Sequence, residues 1–319
     1  MRNLVLFTAL LASTASTASA ASLNDLKPAR LEGRKLRVTT TVNMVSDLAR
    51  NVGGNRVEVT ELMGPGVDPH LFKASAGDVR KLAGADLVLY AGLNLEGKMV
   101  ELLSRSDRAF AVTDTIPRAR LIRPEGGFEG TYTYDPHVWF DVSLWKHTVT
   151  ATRDALSRVD PAGRATYANN AAAYLKKLDR LDAQVKSMIG RIPKNQRVLI
   201  TAHDAFGYFG RRYGLEVRGV QGLSTTSEAG ARDVSDLASF VAKRRIPAIF
   251  VESSVPRRTV DAVVAAARAR GWKLQLGGEL FSDAAGKPGT LEGTYIGMVE
   301  HNARTISEAL RGQQARQER

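Results

Sequence analysis

The chain has 319 residues, 44% apolar and 24% charged, with no low-complexity block, which excludes a disordered or fibrous protein and leaves room for two domains. It contains no cysteine, so disulfides and thiolate metal ligands are excluded. The formal net charge is +12, but the basic residues are scattered and no basic motif is interleaved with aromatics, so a solvated basic surface is expected and no nucleic-acid partner.

Residues 1–20 read as a cleaved signal peptide. Arg2 forms a short positive region, Leu4 to Leu11 an apolar one, and Ala18-Ser19-Ala20 a cleavage site. The run is too short to span a bilayer, and no later segment reaches about 18 apolar residues. An exported protein in a periplasm-like space follows, without a lipid anchor because no cysteine is there to carry one.

Leu36 to Val42, rich in β-branched residues, predicts a strand, and Asn43 to Val52 a helix. Arg56 to Met63 alternates like a second strand, ended by Gly64-Pro65-Gly66, and Asp68-Pro69-His70 lies in the following loop. Ser75 caps a helix to Leu82, with Asp78 three positions on. Ala85 to Ala91 is an apolar strand expected to be covered on both faces, and Ala109 to Thr113 a shorter one. Leu121 to Tyr134 is a loop leading to Asp135-Pro136-His137; Asp141 or Ser143 then caps a helix to about Val159.

Asp160-Pro161 starts an element of another kind. Ala168, Ala171, Leu175, Leu178, Leu181, Val185 and Met188 recur at helical steps until Gly190 and Pro193 stop them. This predicts a helix roughly 40 Å long at about 1.5 Å per residue, a strut between two lobes. Beyond it the alternation resumes. Strands are expected at Arg197 to Thr201, Glu216 to Gln221, Ala248 to Val251 and Lys273 to Leu276. Helices are expected at Ala231 to Arg244, Thr259 to Arg270 and Gly293 to Leu310, before a polar tail. Gly277-Gly278 is read as opening the loop that carries Asp283.

The fold class is therefore α/β: two lobes with mostly parallel sheets joined by one long rigid helix. The boundaries are 21–159 for the N-terminal lobe, 160–192 for the linking helix and 193–319 for the C-terminal lobe.

Three of the five histidines share one context. His70, His137 and His203 (in Ala202-His203-Asp204) each lie in a loop or at a strand end with acidic neighbours, where ligands gather in parallel sheets. Such donors suit a divalent first-row metal ion. The residues alone leave the fourth donor open among Asp283, Glu279, Glu252 and Asp204. His147 and His301 fall within helices and read as structural.

These residues sit in segments that together resemble the metal-binding solute-binding proteins of ABC importers, the ZnuA/PsaA/TroA family, most closely its TroA-like members. The carriers are DPHLFKASAGDVRKLAGADLVLYAGLNLE from Asp68, DPHVWFD from Asp135, TAHDAFGYF from Thr201, QGLSTTSEAGARDV from Gln221, AIFVESSVP from Ala248, and LGGELFSDAAG with GTLEGTYIGMVEHN. The resemblance spans nearly the whole mature chain. It implies an ion held between the lobes, by His70 and His137 from one and His203 and Asp283 from the other. It implies cargo delivery to an inner-membrane permease by a chain expected to be monomeric. It also implies release by small loop and lobe shifts, because the long helix limits opening.

Three imidazoles and one carboxylate suit zinc, while manganese prefers more oxygen. Against zinc, the resemblance implies a long His- and acid-rich loop before the second ligand in zinc-dedicated members, and here the loop before His137 has no histidine, only Glu125 and Glu129. Zn²⁺ and Mn²⁺ both stand as cargo. The competing class is a secreted zinc-dependent hydrolase with Glu252 as base. That class needs an open metal position for water, and no HExxH or nucleophile-elbow motif occurs.

Overall fold

The computed structural model describes residues 22–124 and 132–311. The expected signal peptide, Glu125, Glu129 and the expected polar tail from Gly312 onward lie outside the described residues.

The N-terminal half is a parallel sheet with helices against it. β1 (Leu36–Val42) leads into α1 (Asn43–Gly53), β2 (Val57–Met63), α2 (Ala76–Ala83), β3 (Leu87–Tyr90), α3 (Val100–Ser104) and β4 (Ala109–Ala111). The strand order is β2-β1-β3-β4, every pair parallel. β3 is buried along its length, as its unbroken apolar run requires. Ser75 and Asp78 close a reciprocal capping box at α2, which satisfies two otherwise orphaned N–H groups.

α4 (Val142–Val159) starts at Asp141, whose carboxylate accepts from the N–H groups of Ser143 and Leu144. A single turn, Pro161–Gly163, then feeds α5 (Arg164–Gly190), which has 27 residues. The buried Asp160 accepts from the Gly163 N–H and pairs with Arg56 at 2.8 Å and with the Tyr167 hydroxyl at 2.6 Å. The start of α5 is thereby fixed to the turn before β2.

The C-terminal half repeats the alternation with β5 (Val198–His203), α6 (Gly207–Tyr213), β6 (Glu216–Gln221), α7 (Ala231–Arg244), β7 (Ala248–Glu252), α8 (Arg258–Ala269), β8 (Gln275–Leu280) and α9 (Tyr295–Arg311). β5 pairs with β6 and β7 with β8, both parallel, and β5 lies beside β7. α6 and α3 were not anticipated. The final strand also differs from expectation: β8 continues through Gly277-Gly278 to Leu280. These glycines do not open a loop. A Cβ at Gly277 would stand 2.5 Å from the Phe250 ring, so the residue lets two strands approach closely.

α5 touches both halves: α1 and α4 on one side, α6 and α9 on the other. Asp47 on α1 accepts from the Tyr174 hydroxyl of α5 at 3.0 Å and from the Tyr295 N–H of α9 at 3.2 Å. The main hydrophobic core follows the same route, from the N-terminal sheet through Trp139, Phe140 and Trp145 to Phe206, Phe209 and Phe250. Phe140 and Phe206 stack at 4.2 Å, a contact worth about 0.5–1.5 kcal/mol beyond its buried area. A second, smaller core lies between the β5–β8 strands and α7 and α8, around Ile200, Leu237, Val241, Ile249 and Val263. Among the described residues no helix is long and apolar enough to cross a membrane.

Candidate metal centre

Four loops deliver four donors to one point. His70 follows β2, His137 precedes α4, His203 is the last residue of β5, and Asp283 lies just beyond β8. Their ligand atoms all lie within 4.8 Å of one another, and all four residues are buried. Asp283 Oδ1 is 3.4 Å from both His137 Nε2 and His203 Nε2, and Asp283 Oδ2 is 3.9 Å from His70 Nε2. These separations are long for hydrogen bonds. The two at 3.4 Å match the edge of a tetrahedron whose arms are about 2.0–2.1 Å, which is about 3.3–3.4 Å, and the one to His70 is longer. The Nε2 atoms of all three histidines and Oδ1 of Asp283 have no hydrogen-bond partner among the described residues. Such buried orphans are costly unless a shared cation satisfies them.

Each ring is oriented through its other nitrogen. His203 Nδ1 is 2.6 Å from Glu252 Oε2, and Glu252 Oε1 accepts from the His203 N–H at 2.9 Å. His137 Nδ1 is 2.8 Å from Asp135 Oδ1, which also accepts the His137 N–H. His70 Nδ1 instead meets the neutral hydroxyl of Tyr132 at 2.8 Å, while Asp68 Oδ1 accepts the His70 N–H. The two carboxylate bonds fix the proton on Nδ1, and all three bonds aim Nε2 at the common point. The aspartates of the two Asp-Pro-His phrases thus hold histidines in place and stand outside the donor cluster. Glu252 does the same for His203, and neither Glu279 nor Asp204 joins the cluster. Tyr132 carried no signal in the sequence.

The electrostatics follow from this asymmetry. Burial pushes His70 down to about 3, only partly opposed by Asp283. Burial works the same way on His137, but Asp135 and then Asp283 overcome it and carry the ring up to about 9. His203 is likewise raised well above its ordinary value by Glu252 and Asp283 against its burial. Asp283, although buried, is held well below the usual carboxylate range, first by His203 and then by His137. The pocket favours a carboxylate beside positive charge, which a metal ion supplies. His147 and His301 sit apart: the first lies 3.3 Å from Arg120 Nη1, the second 3.0 Å from the Glu279 carbonyl oxygen.

The ZnuA family, the periplasmic component A of the zinc-uptake complex, matches residues 38–309. The chain belongs to this family. It is 49% identical over 287 residues to the zinc-binding protein TroA of Treponema pallidum, covering 89% of this chain and 91% of that one. It is 48% identical over 281 residues to the manganese-binding lipoprotein MntA of Bacillus subtilis, covering 87% and 90%. Its fold matches the solved periplasmic zinc-binding TroA with a TM-score of 0.83 at 50% identity, covering 86% of this chain and 99% of that one. The α/β architecture with a long linking helix is that of this ABC-importer solute-binding family.

Proposed function

We propose that this protein captures one divalent transition-metal ion in a periplasm-like compartment and delivers it to an ABC permease. His70, His137, His203 and Asp283 are the ligands. The observation that carries the reading is the set of four buried donor atoms within 4.8 Å of one another and without a hydrogen-bond partner among the described residues. Four protein ligands leave no position at which water could be activated, so the protein is a carrier and not a hydrolase. Glu252, the base such a hydrolase would need, is committed to His203 through both oxygens. We take the carrier to be a monomer, exported by the leader at its N-terminus.

The donor set favours zinc on affinity, because imidazole suits it better than it suits manganese. Manganese stands as the second reading, since near-equal identity links the chain to a relative named for that ion. Zinc or manganese added to chelator-stripped protein should raise the melting temperature. Free ion at about 100 times the dissociation constant adds about 2.7 kcal/mol by linkage. An unchanged melting curve with both ions would sink the carrier reading, and competitive titration of the two ions ranks them.

A further inference from the structure

The four ligands are not held alike. Among the described residues, Asp283 belongs to a segment fastened across the molecule. Trp139 Nε1 donates to the Ser282 carbonyl at 3.0 Å, and the Asn43 side chain bonds both the N–H and the carbonyl of Ala285 at 2.8 and 2.9 Å. His203 is tied to Glu252 on the neighbouring strand, and His137 to Asp135 within its own turn. All of these anchors are buried.

His70 is placed otherwise. It alone of the four lines a cleft of about 1290 Å³ between the halves, together with Tyr132, Lys98, Gly222, Ser224 and Thr226. Its two supports are Asp68 at its backbone and Tyr132 at its ring. Asp68 is gripped from the opposite lobe by the segment 222–230 between β6 and α7: the Thr225 hydroxyl donates to Asp68 Oδ2. Ser224, whose hydroxyl meets that of Thr226, lines the cleft with Tyr132. Ser224 and Thr225 are half-buried, and Gly222, Thr226, Ser227 and Glu228 beside them are exposed.

We propose that segment 222–230 is a release strap, with Thr225 as the positioning residue that holds His70 on the ion through Asp68. The inference rests on the carrier reading. Lifting the strap frees Asp68, the support of the His70 backbone, and opens the cleft side of the site, while His137, His203 and Asp283 keep their buried anchors. The ion then leaves past His70 without any large movement of the lobes about α5. An exposed segment is also the part of this arrangement that a docking partner can grip. Capture and release thus differ by the position of one short segment.

The test measures zinc release from loaded full-length protein into excess EDTA by stopped flow, and zinc affinity by competition, for wild type, Thr225→Val and Thr225→Ser. Loss of a hydrogen bond to a charged group should speed release by about tenfold in Thr225→Val. Thr225→Ser should restore the wild-type rate, and the association rate should change little. In a His70→Ala background Thr225→Val should have no further effect, because the strap acts through His70. Metal-free melting temperatures of the strap variants should match wild type, since the side chains removed are half-buried and polar. Wild-type release rates in Thr225→Val, or an equal acceleration in the His70→Ala background, would overturn the strap and leave the carrier reading standing. A wild-type protein that binds no zinc or manganese would overturn both.

Discussion

Glu252 meets His203 through two bonds, one to the ring and one to the backbone, and both are buried. Its negative charge makes the ring a stronger electron donor and also a stronger proton acceptor, so metal and proton compete for the same enhanced site. Glu252→Gln should therefore change two quantities together. Zinc affinity at pH 8 should fall by about 10- to 100-fold, measured by competition with a chelator of known affinity. The acid limb of the affinity curve should move to lower pH. The sign follows from the raised His203 value: the folded, metal-free ring holds its proton to higher pH than free imidazole does. Removing the carboxylate lowers that value, and protons then displace the ion only in more acidic solution. An affinity equal to wild type at pH 8 would remove Glu252 from any part in metal binding.

Strand ends position the donors, and most were readable from β-branched runs and turn residues. β1, β6 and α7 fall where periodicity places them, and the long helix is announced by Asp160-Pro161. β8 was misread because a Gly-Gly pair usually marks a turn, whereas here Gly277 packs its backbone against Phe250. That packing predicts that Gly277→Ala forces the ring or the strand aside and costs about 1–3 kcal/mol, measured by chemical denaturation of the metal-free protein. A denaturation midpoint at the wild-type value would mean that Phe250 gives way without strain. The histidines were legible because they stand out by type and context. The groups that orient them were less so. Tyr132 lies 62 residues from His70 and Thr225 lies 157 residues from Asp68. A hydroxyl in a polar loop has no periodicity that points to so distant a partner, and only the closed fold brings them together.

At the scale of the whole molecule, α5 was expected as a strut between two lobes. It does span both, but the main core continues around it. Asp47, Tyr174 and Tyr295 tie α1, α5 and α9 together, and Tyr295 stacks on Trp145 at 5.1 Å. The C-terminal helix thus reaches into the N-terminal half while resting mainly on β8 and α5. These ties cross between the halves that supply the four ligands.

The division into a large core and a small one reaches further. The small core is confined to one face of the β5–β8 strands, under α7 and α8, and shares no helix with the large one. Cooperative units follow such contiguous packing more closely than they follow lobes or chain order. Amide exchange should therefore divide this protein along the layer of the β5–β8 strands, with α7 and α8 exposing their amides at lower free energy than α1, α5 or α9. Equal protection across all five helices, by mass spectrometry of metal-free protein, would contradict this. The first layer to loosen is then the one from which segment 222–230 emerges. Local melting there, far short of unfolding, would couple the breathing of a peripheral helical layer to how long the cargo stays.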